Sequence, residues 1–558
     1  MLKIQTCKII STISLILSIQ FTLLSQPIGW RNPINGKVLL SGTFGELRGN
    51  HYHGGIDIKP SEGGHQPVLA VADGYVKTIK IHGGSYGNAL LLQHKDGFQS
   101  LYGHLNGFER KIDSIAYSIQ YRDSSFQINE VLDTTKLPVK QGDVIGYMGN
   151  TGYSFGQHLH FEVRHISGTH YNPLKIIPQI EDKTSPRFRK LRLNYLDANG
   201  REYRDELLSV KNLGANKFSA GNIKLNGFYF SIAVDVVDLH EETYNQNGIY
   251  QLDMYVNDSL YYRINVDSLT SHDRHYYNNK IDYTHSDHQK AIFHNLQHQS
   301  IYYLPIVNTS TSGLLKLTPF KSKEIQIVAS DFQGNKSTLH LTLSQVDQVQ
   351  MNYNHIYNFV VGNSESQKIE LDHYTVLFPK NSLGKEKRLY VFEEQEVIDN
   401  QSQWILHLDK DRIPIFEDLT IQLRDHRPIN EKEKWVMASC TDNSIYPQIT
   451  YKSENAFIAK VGRLGNYCLI QDTIPPTIQL RSQRGNGWIF KISDNLFPFS
   501  QLDIEATIDG KWALVKEEFK KNTITFSDFD RFKNGQKHNF ILSVTDGCGN
   551  KSVFESEL

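Results

Sequence analysis

Two stretches of this chain open and close on the same signals. Asp182-Lys-Thr-Ser-Pro186 opens the first and Asp331-Phe-Gln-Gly-Asn-Lys-Ser337 closes it; Asp472-Thr-Ile-Pro-Pro476 opens the second and Asp546-Gly-Cys-Gly-Asn-Lys-Ser552 closes it. Each closing turn runs into alternating residues, Thr338-Leu-His-Leu-Thr-Leu343 and Val553-Phe-Glu-Ser-Glu-Leu558. Alternation sends every second side chain to one face of a strand. An acidic turn followed by such a run therefore reads as the last hairpin of an immunoglobulin-like sandwich. A repeat of boundary signals implies β modules in series rather than one core.

Length and composition agree. A chain of 558 residues divides into roughly three or four domains. Aromatics make up 11%, with 29 Tyr and 28 Phe, and strand-like alternation recurs along most of the length, so the expected class is all-β with little helix. Between the two repeats, Tyr374-Thr-Val-Leu-Phe-Pro-Lys-Asn-Ser-Leu383 and Ala456-Phe-Ile-Ala-Lys-Val461 suggest a third sandwich of a different type. The expected order is residues 27–180, then sandwich modules at 181–346, 347–470 and 471–558. No cluster of acids or histidines in these modules has the spacing of a catalytic site, and the histidines of 240–298 read as surface polarity. The 59 basic and 60 acidic residues give a net charge of −1, which supplies no basic face for nucleic acid.

Lys3 and Lys8, an apolar run from Ile9 to Leu24, and the exit Ser25-Gln-Pro27 match a secretory signal peptide over residues 1–26, with an uncleaved N-terminal anchor as the alternative. No later segment is apolar for long enough to span a bilayer, so the mature chain is expected without an integral membrane segment, in the periplasm, the cell envelope or the medium. Cys7 would leave with the signal. Of Cys440, Cys468 and Cys548, the first two share a module and could form a disulfide in an oxidising compartment; three free thiols are the alternative.

Residues 27–180 are dense in short strands punctuated by glycine. Val139 to Gly149, with its turn at Gln141-Gly-Asp143, reads as a hairpin. It has the cadence of a lipoyl or biotinyl carrier hairpin but lacks a modifiable lysine at the tip. Ile112 to Leu137 is polar and reads as an insertion or lid.

Within this region Gly156-Gln-His-Leu-His-Phe-Glu-Val163 would place His158 and His160 on one strand face, with Leu159 and Phe161 packing beneath. Upstream stands Asn50-His-Tyr-His-Gly-Gly-Ile-Asp-Ile58, in which His53 and Asp57 flank a glycine pair that permits a tight turn. His53, Asp57 and His160 make two imidazoles and a carboxylate, a common zinc ligand set with water in the fourth position. His104, in Tyr102-Gly-His104, and His158 remain for proton transfer and oxyanion stabilisation. His51 competes with His53 as a ligand, and Asp73 in Val71-Ala-Asp-Gly74 reads as a turn residue. The helical zinc motif His-Glu-x-x-His is absent, and Gly149 to Gly156 lacks the ending of a phosphate loop.

These motifs, His53-x3-Asp57, Val71-Ala-Asp-Gly74, Tyr102-Gly-His104 and Gly149-Asn-Thr-Gly152 leading into His158-Leu-His160-Phe-Glu, resemble the lysostaphin-type or LytM-type zinc metalloendopeptidases, which cut peptide cross-links in peptidoglycan. The resemblance covers residues 35 to 175 or so. It implies a small β-rich domain of duplicated-hybrid or barrel-sandwich type, one Zn2+ on His53, Asp57 and His160, catalytic roles for His104 and His158, and peptidoglycan as substrate. The stretch after His104 is longer than the family's core. Two rivals differ in class: a catalytically silent protein of the same fold that regulates or binds the cell wall, and an envelope adhesin or scaffold whose sandwiches bind a partner protein.

Overall fold

The structure is a computed structural model. It describes residues 29–558 except 49–50, 62–64, 134–136, 179, 199, 201, 241–244, 274–275, 277–279, 282–290, 299–303, 309–311, 347–356, 385, 399–400, 410–412, 442–443, 484–486 and 528–535. The signal peptide expected at 1–26, with Cys7, lies outside the described residues. Nearly every element is a strand, as the alternation predicts.

The N-terminal sheet runs in the order Leu39–Gly42, Ile56–Lys59, Leu159–His165, Phe98–Leu105, Asn88–Gln93, Gly74–Ile81 and Ile128–Val131. The strand Leu159–His165 is third in this order, with a neighbour on each side. Leu159, Phe161 and Val163 are fully buried on one face with Ile56, Ile58 and Tyr102, which leaves His160 and Glu162 to the other face by the period of two. The Phe161 ring lies 5.4 Å from that of Tyr102. Truncating a buried phenylalanine costs ~3–5 kcal/mol. Phe161→Ala is therefore expected to lower the urea midpoint of unfolding sharply, with little loss if the ring were peripheral.

Two local expectations give way to different structures. Val139 to Gly149 is not a hairpin: Pro138–Val139 pairs with Gly74–Tyr75, whereas Val144–Tyr147 pairs with Pro67–Leu69 and Gly107–Phe108 in a separate three-stranded sheet. The turn forms, but Ala70 exchanges backbone hydrogen bonds with Gly142 and Asp143 and draws the outgoing strand to the second sheet. Of the insertion and the lid that the sequence leaves open at 112–137, the described residues do not form an open lid. The segment begins inside the helix Arg110–Asp123, whose Ile112, Ala116 and Ile119 are buried, and continues as Ile128–Val131 on the sheet edge remote from the His160 strand.

The remaining sheets stack in pairs. Six- and seven-stranded sheets span 187–345, and their interior is continuous with that of the N-terminal sheet in one core from Trp30 to Leu343. The strand Ser268–Thr270 pairs with Thr169–Tyr171 and so extends the N-terminal sheet. Two five-stranded sheets enclose the core Val361 to Leu469, and two four-stranded sheets enclose Trp488 to Val544. Cys440 and Cys468 form a disulfide, and Cys548 is a buried free thiol. The last module folds back onto the first: the Lys520 ammonium donates to the carbonyls of Asn150 and Ser154, Gln127 donates to Glu517 at 3.1 Å, and Trp512 meets Tyr121 edge-on at 5.2 Å. Among the described residues no helix is long and apolar enough to cross a membrane.

Candidate metal centre

Strand pairing brings the predicted residues together. In the register of the sheet His160 stands opposite Asp57 on one side and Gly103 on the other. His53 arrives from the segment before Ile56–Lys59. The glycine pair serves this approach: a Cβ on Gly55 would sit 2.2 Å from the Phe161 carbonyl oxygen, so only glycine lets the backbone pass. His53 Nε2 lies 3.0 Å from Asp57 Oδ1 and 3.0 Å from His160 Nδ1, and His160 Nδ1 lies 2.9 Å from Asp57 Oδ1. All three side chains are buried. His51 pairs in the ribbon Leu47–Arg48/His51–Tyr52 and stays outside this cluster, while Asp73 accepts from Gln141 N at 2.8 Å as a turn residue.

Outer contacts decide which nitrogens face inward. His53 Nδ1 donates to the Thr43 carbonyl at 2.8 Å, which leaves Nε2 as an acceptor. His160 Nε2 donates to Glu162 Oε1 at 2.8 Å, which leaves Nδ1 as an acceptor. With Asp57 Oδ1, three lone pairs converge with no hydrogen to share, the arrangement a bound cation satisfies. The electrostatics agree. Burial and the Arg48 guanidinium lower His53 to about 4, so it is neutral. Against burial, His53 and Arg48 hold Asp57 well below the usual carboxylate range. Also against burial, hydrogen bonding to Asp57 and Glu162 raises His160, so without an ion the cluster draws a proton to the same Nδ1 that would otherwise face a cation.

The other two histidines stand beside this cluster. His104 and His158 have ring centroids 4.7 Å apart, and His158 Nε2 is 3.6 Å from Asp57 Oδ1. His104 Nδ1 donates to the Thr151 carbonyl at 2.8 Å, and His158 Nδ1 donates to the Gly156 carbonyl at 2.9 Å. Burial, then His160 and His158, lower His104 to about 3; burial lowers His158 as well. Both rings are neutral with Nε2 as the acceptor. His104 holds φ at 61°, the left-handed region, at a cost of ~1–2 kcal/mol for a non-glycine residue.

Sequence reasoning missed the supporting residues. Glu162, fully buried, is the hub: Oε1 also accepts from Tyr86 OH at 2.7 Å, and Oε2 accepts from Arg164 Nε at 2.6 Å. Its position two residues after His160 on the same strand face was the available signal. Arg48 Nη2, which donates to Asp57 Oδ2 at 2.5 Å, carried no such signal.

The family model described as Peptidase family M23 matches residues 51–116 and 121–173. The DD-carboxypeptidase/endopeptidase Mpg of Neisseria meningitidis serogroup B is 35% identical over 157 residues, which are 28% of this chain and 27% of that protein. The murein hydrolase activator NlpD of Escherichia coli is 35% identical over 156 residues, 28% of this chain and 33% of that protein. The catalytic domain of lysostaphin from Staphylococcus simulans is 24% identical, covers 25% of this chain and 90% of that one, and superposes with a TM-score of 0.19. The matched region thus spans about a third or less of the curated relatives' own length. Residues 51–116 and 121–173 of this chain carry the match to a Peptidase family M23 domain.

Proposed function

We propose that this chain is an exported zinc metalloendopeptidase that hydrolyses peptide bonds in peptidoglycan stems or cross-links. The observation that carries the reading is the convergence of three buried acceptors beside two neutral imidazoles. His53 Nε2, Asp57 Oδ1 and His160 Nδ1 would hold one Zn2+. A tetrahedral ion with ligands at ~2.0–2.1 Å needs donor atoms ~3.3 Å apart, and the separations of 2.9–3.0 Å come within a few tenths of an ångström of it. Bound zinc supplies Lewis-acid activation of water and of a carbonyl near neutral pH.

The chain's own groups then divide the proton work. His104 and His158 each keep the Nδ1 proton on a backbone carbonyl, so each first acts as an acceptor through Nε2. Once one has taken a proton from the attacking water, the same N–H can donate to the oxyanion or to the leaving amine. Glu162 fixes the His160 tautomer. Loss of such a support weakens metal binding ~10–100-fold, so Glu162→Gln is expected to raise the zinc dissociation constant by that factor in a competition titration.

A second reading has one observation in its favour: a relative named as a murein hydrolase activator. It predicts a zinc-independent regulator, with the sandwich modules engaging an envelope partner. Purified protein separates the two. The peptidase reading expects about one zinc per chain and peptidoglycan solubilisation that stops with a chelator and resumes on zinc addition. Metal-free protein that does not cleave under any metal condition, yet stimulates another hydrolase, would select the activator instead.

A further inference from the structure

The acids that mark the module boundaries in the sequence meet a third acid inside each module. Asp182, Asp238 and Asp331 form one group and Asp472, Asp494 and Asp546 another, each with carboxylate oxygens within 4.8 Å of one another. All but the half-buried Asp494 are buried. Around them the same scaffold repeats. Asp182 and Asp472 each accept from the backbone N–H two residues on; Asp331 and Asp546 each accept from the N–H four residues on. Asn335 and Asn550 each donate both to that turn aspartate and to the carbonyl of the opening one.

This scaffold leaves carboxylate oxygens of each group without a hydrogen-bond partner. Asp238 Oδ1, Asp472 Oδ2 and Asp494 Oδ2 are buried without a hydrogen-bond partner. An independent side chain points to the same place. Asn247, 2% exposed, has neither Oδ1 nor Nδ2 paired. It sits cross-strand from Asp238 and lines, with Asp182 and Asp238, a cavity of ≈ 20 Å³, the scale of one water-sized occupant. Three buried carboxylates cannot all ionise together without a cation.

We propose that each triad is a structural Ca2+ site. His240, also at the first cavity and buried rather than on the surface as its sequence context suggested, is not among the triad residues, and the second triad has no histidine. The chemistry common to both is therefore oxygen alone, which selects a hard cation over zinc. Each ion would join the segment entering a module to the turn that closes it. Asp182 lies where the chain leaves the M23 domain and Asp472 follows the strand Gly465–Gln471, so both ions brace joints between modules.

The full-length chain, stripped with EGTA and dialysed against CaCl2, tests this. Sites of this kind in extracellular modules bind at roughly 10⁻⁴–10⁻³ M. Wild type is expected to take up two Ca2+ in equilibrium dialysis, apart from any metal at the histidine centre, and to gain thermal midpoint over the EGTA-treated protein. Asp238→Asn should retain one ion, and Asp238→Asn with Asp494→Asn none, with no calcium shift in the midpoint. These changes relieve charge repulsion in the ion-free protein, so the variants should fold. Wild type that binds no Ca2+ at millimolar concentration, or a double variant with undiminished uptake, would overturn the proposal.

Discussion

Replacing His160 by alanine is expected to empty the histidine centre of zinc and to reduce release of peptidoglycan fragments ~10⁴-fold or more, since the loss of metal returns water to an unactivated nucleophile. The size of the effect follows from position. His160 Nδ1 is within 3.0 Å of both other proposed ligand atoms, and the Nε2 of the same ring links that cluster to Glu162. Mass spectrometry of the muropeptides released by wild type and variant, beside metal analysis of both proteins, reads activity and bond together. A variant that keeps zinc, or cleaves at the wild-type rate, would sink the ligand assignment.

His104→Ala separates the second role. The residue donates to Thr151 rather than to the three-acceptor cluster, so zinc content should stay at the wild-type level while cleavage falls ~10²–10⁴-fold, the usual weight of a proton-transfer group. Backbone conformation supplies an internal control. At φ 61° alanine inherits the left-handed penalty and glycine escapes it, so His104→Gly should be the more stable of the two by ~1 kcal/mol and equally inactive. If both variants cleave normally, His104 has no part in the chemistry.

Much of the site was legible because its side chains announce themselves. His53-x3-Asp57, Tyr-Gly-His104 and His158-x-His160 contain every nitrogen and oxygen later found to converge. What selects the inward-facing nitrogen was not legible at His53 and His104, since the partners are the carbonyls of Thr43 and Thr151, and a backbone carbonyl has no sequence signature. Glu162 is legible in principle, two positions after His160 on the same strand face. The helix at Arg110–Asp123 was hidden by its polarity, although Ile112, Ala116 and Ile119 recur at the helical interval. The acid triads are half visible: Asp182, Asp331, Asp472 and Asp546 stand out as paired signals, but Asp238, next to last in Tyr229–Leu239, and Asp494, just after Trp488–Ser493, meet them only in three dimensions.

The contact of Lys520 with the loop at 150–154 bears on the order in which this molecule is built. That loop holds Thr151, whose carbonyl orients His104, and Ser154, whose hydroxyl lies 3.2 Å from His158 Nδ1. Its anchoring ammonium is 370 positions downstream. A ribosome therefore finishes the M23 domain long before the residue that steadies its loop exists. In a nascent or truncated chain the loop keeps its bonds to Ser85, Asn88 and Leu105 but lacks those from Lys520, so the C-terminal module supplies the last of its contacts.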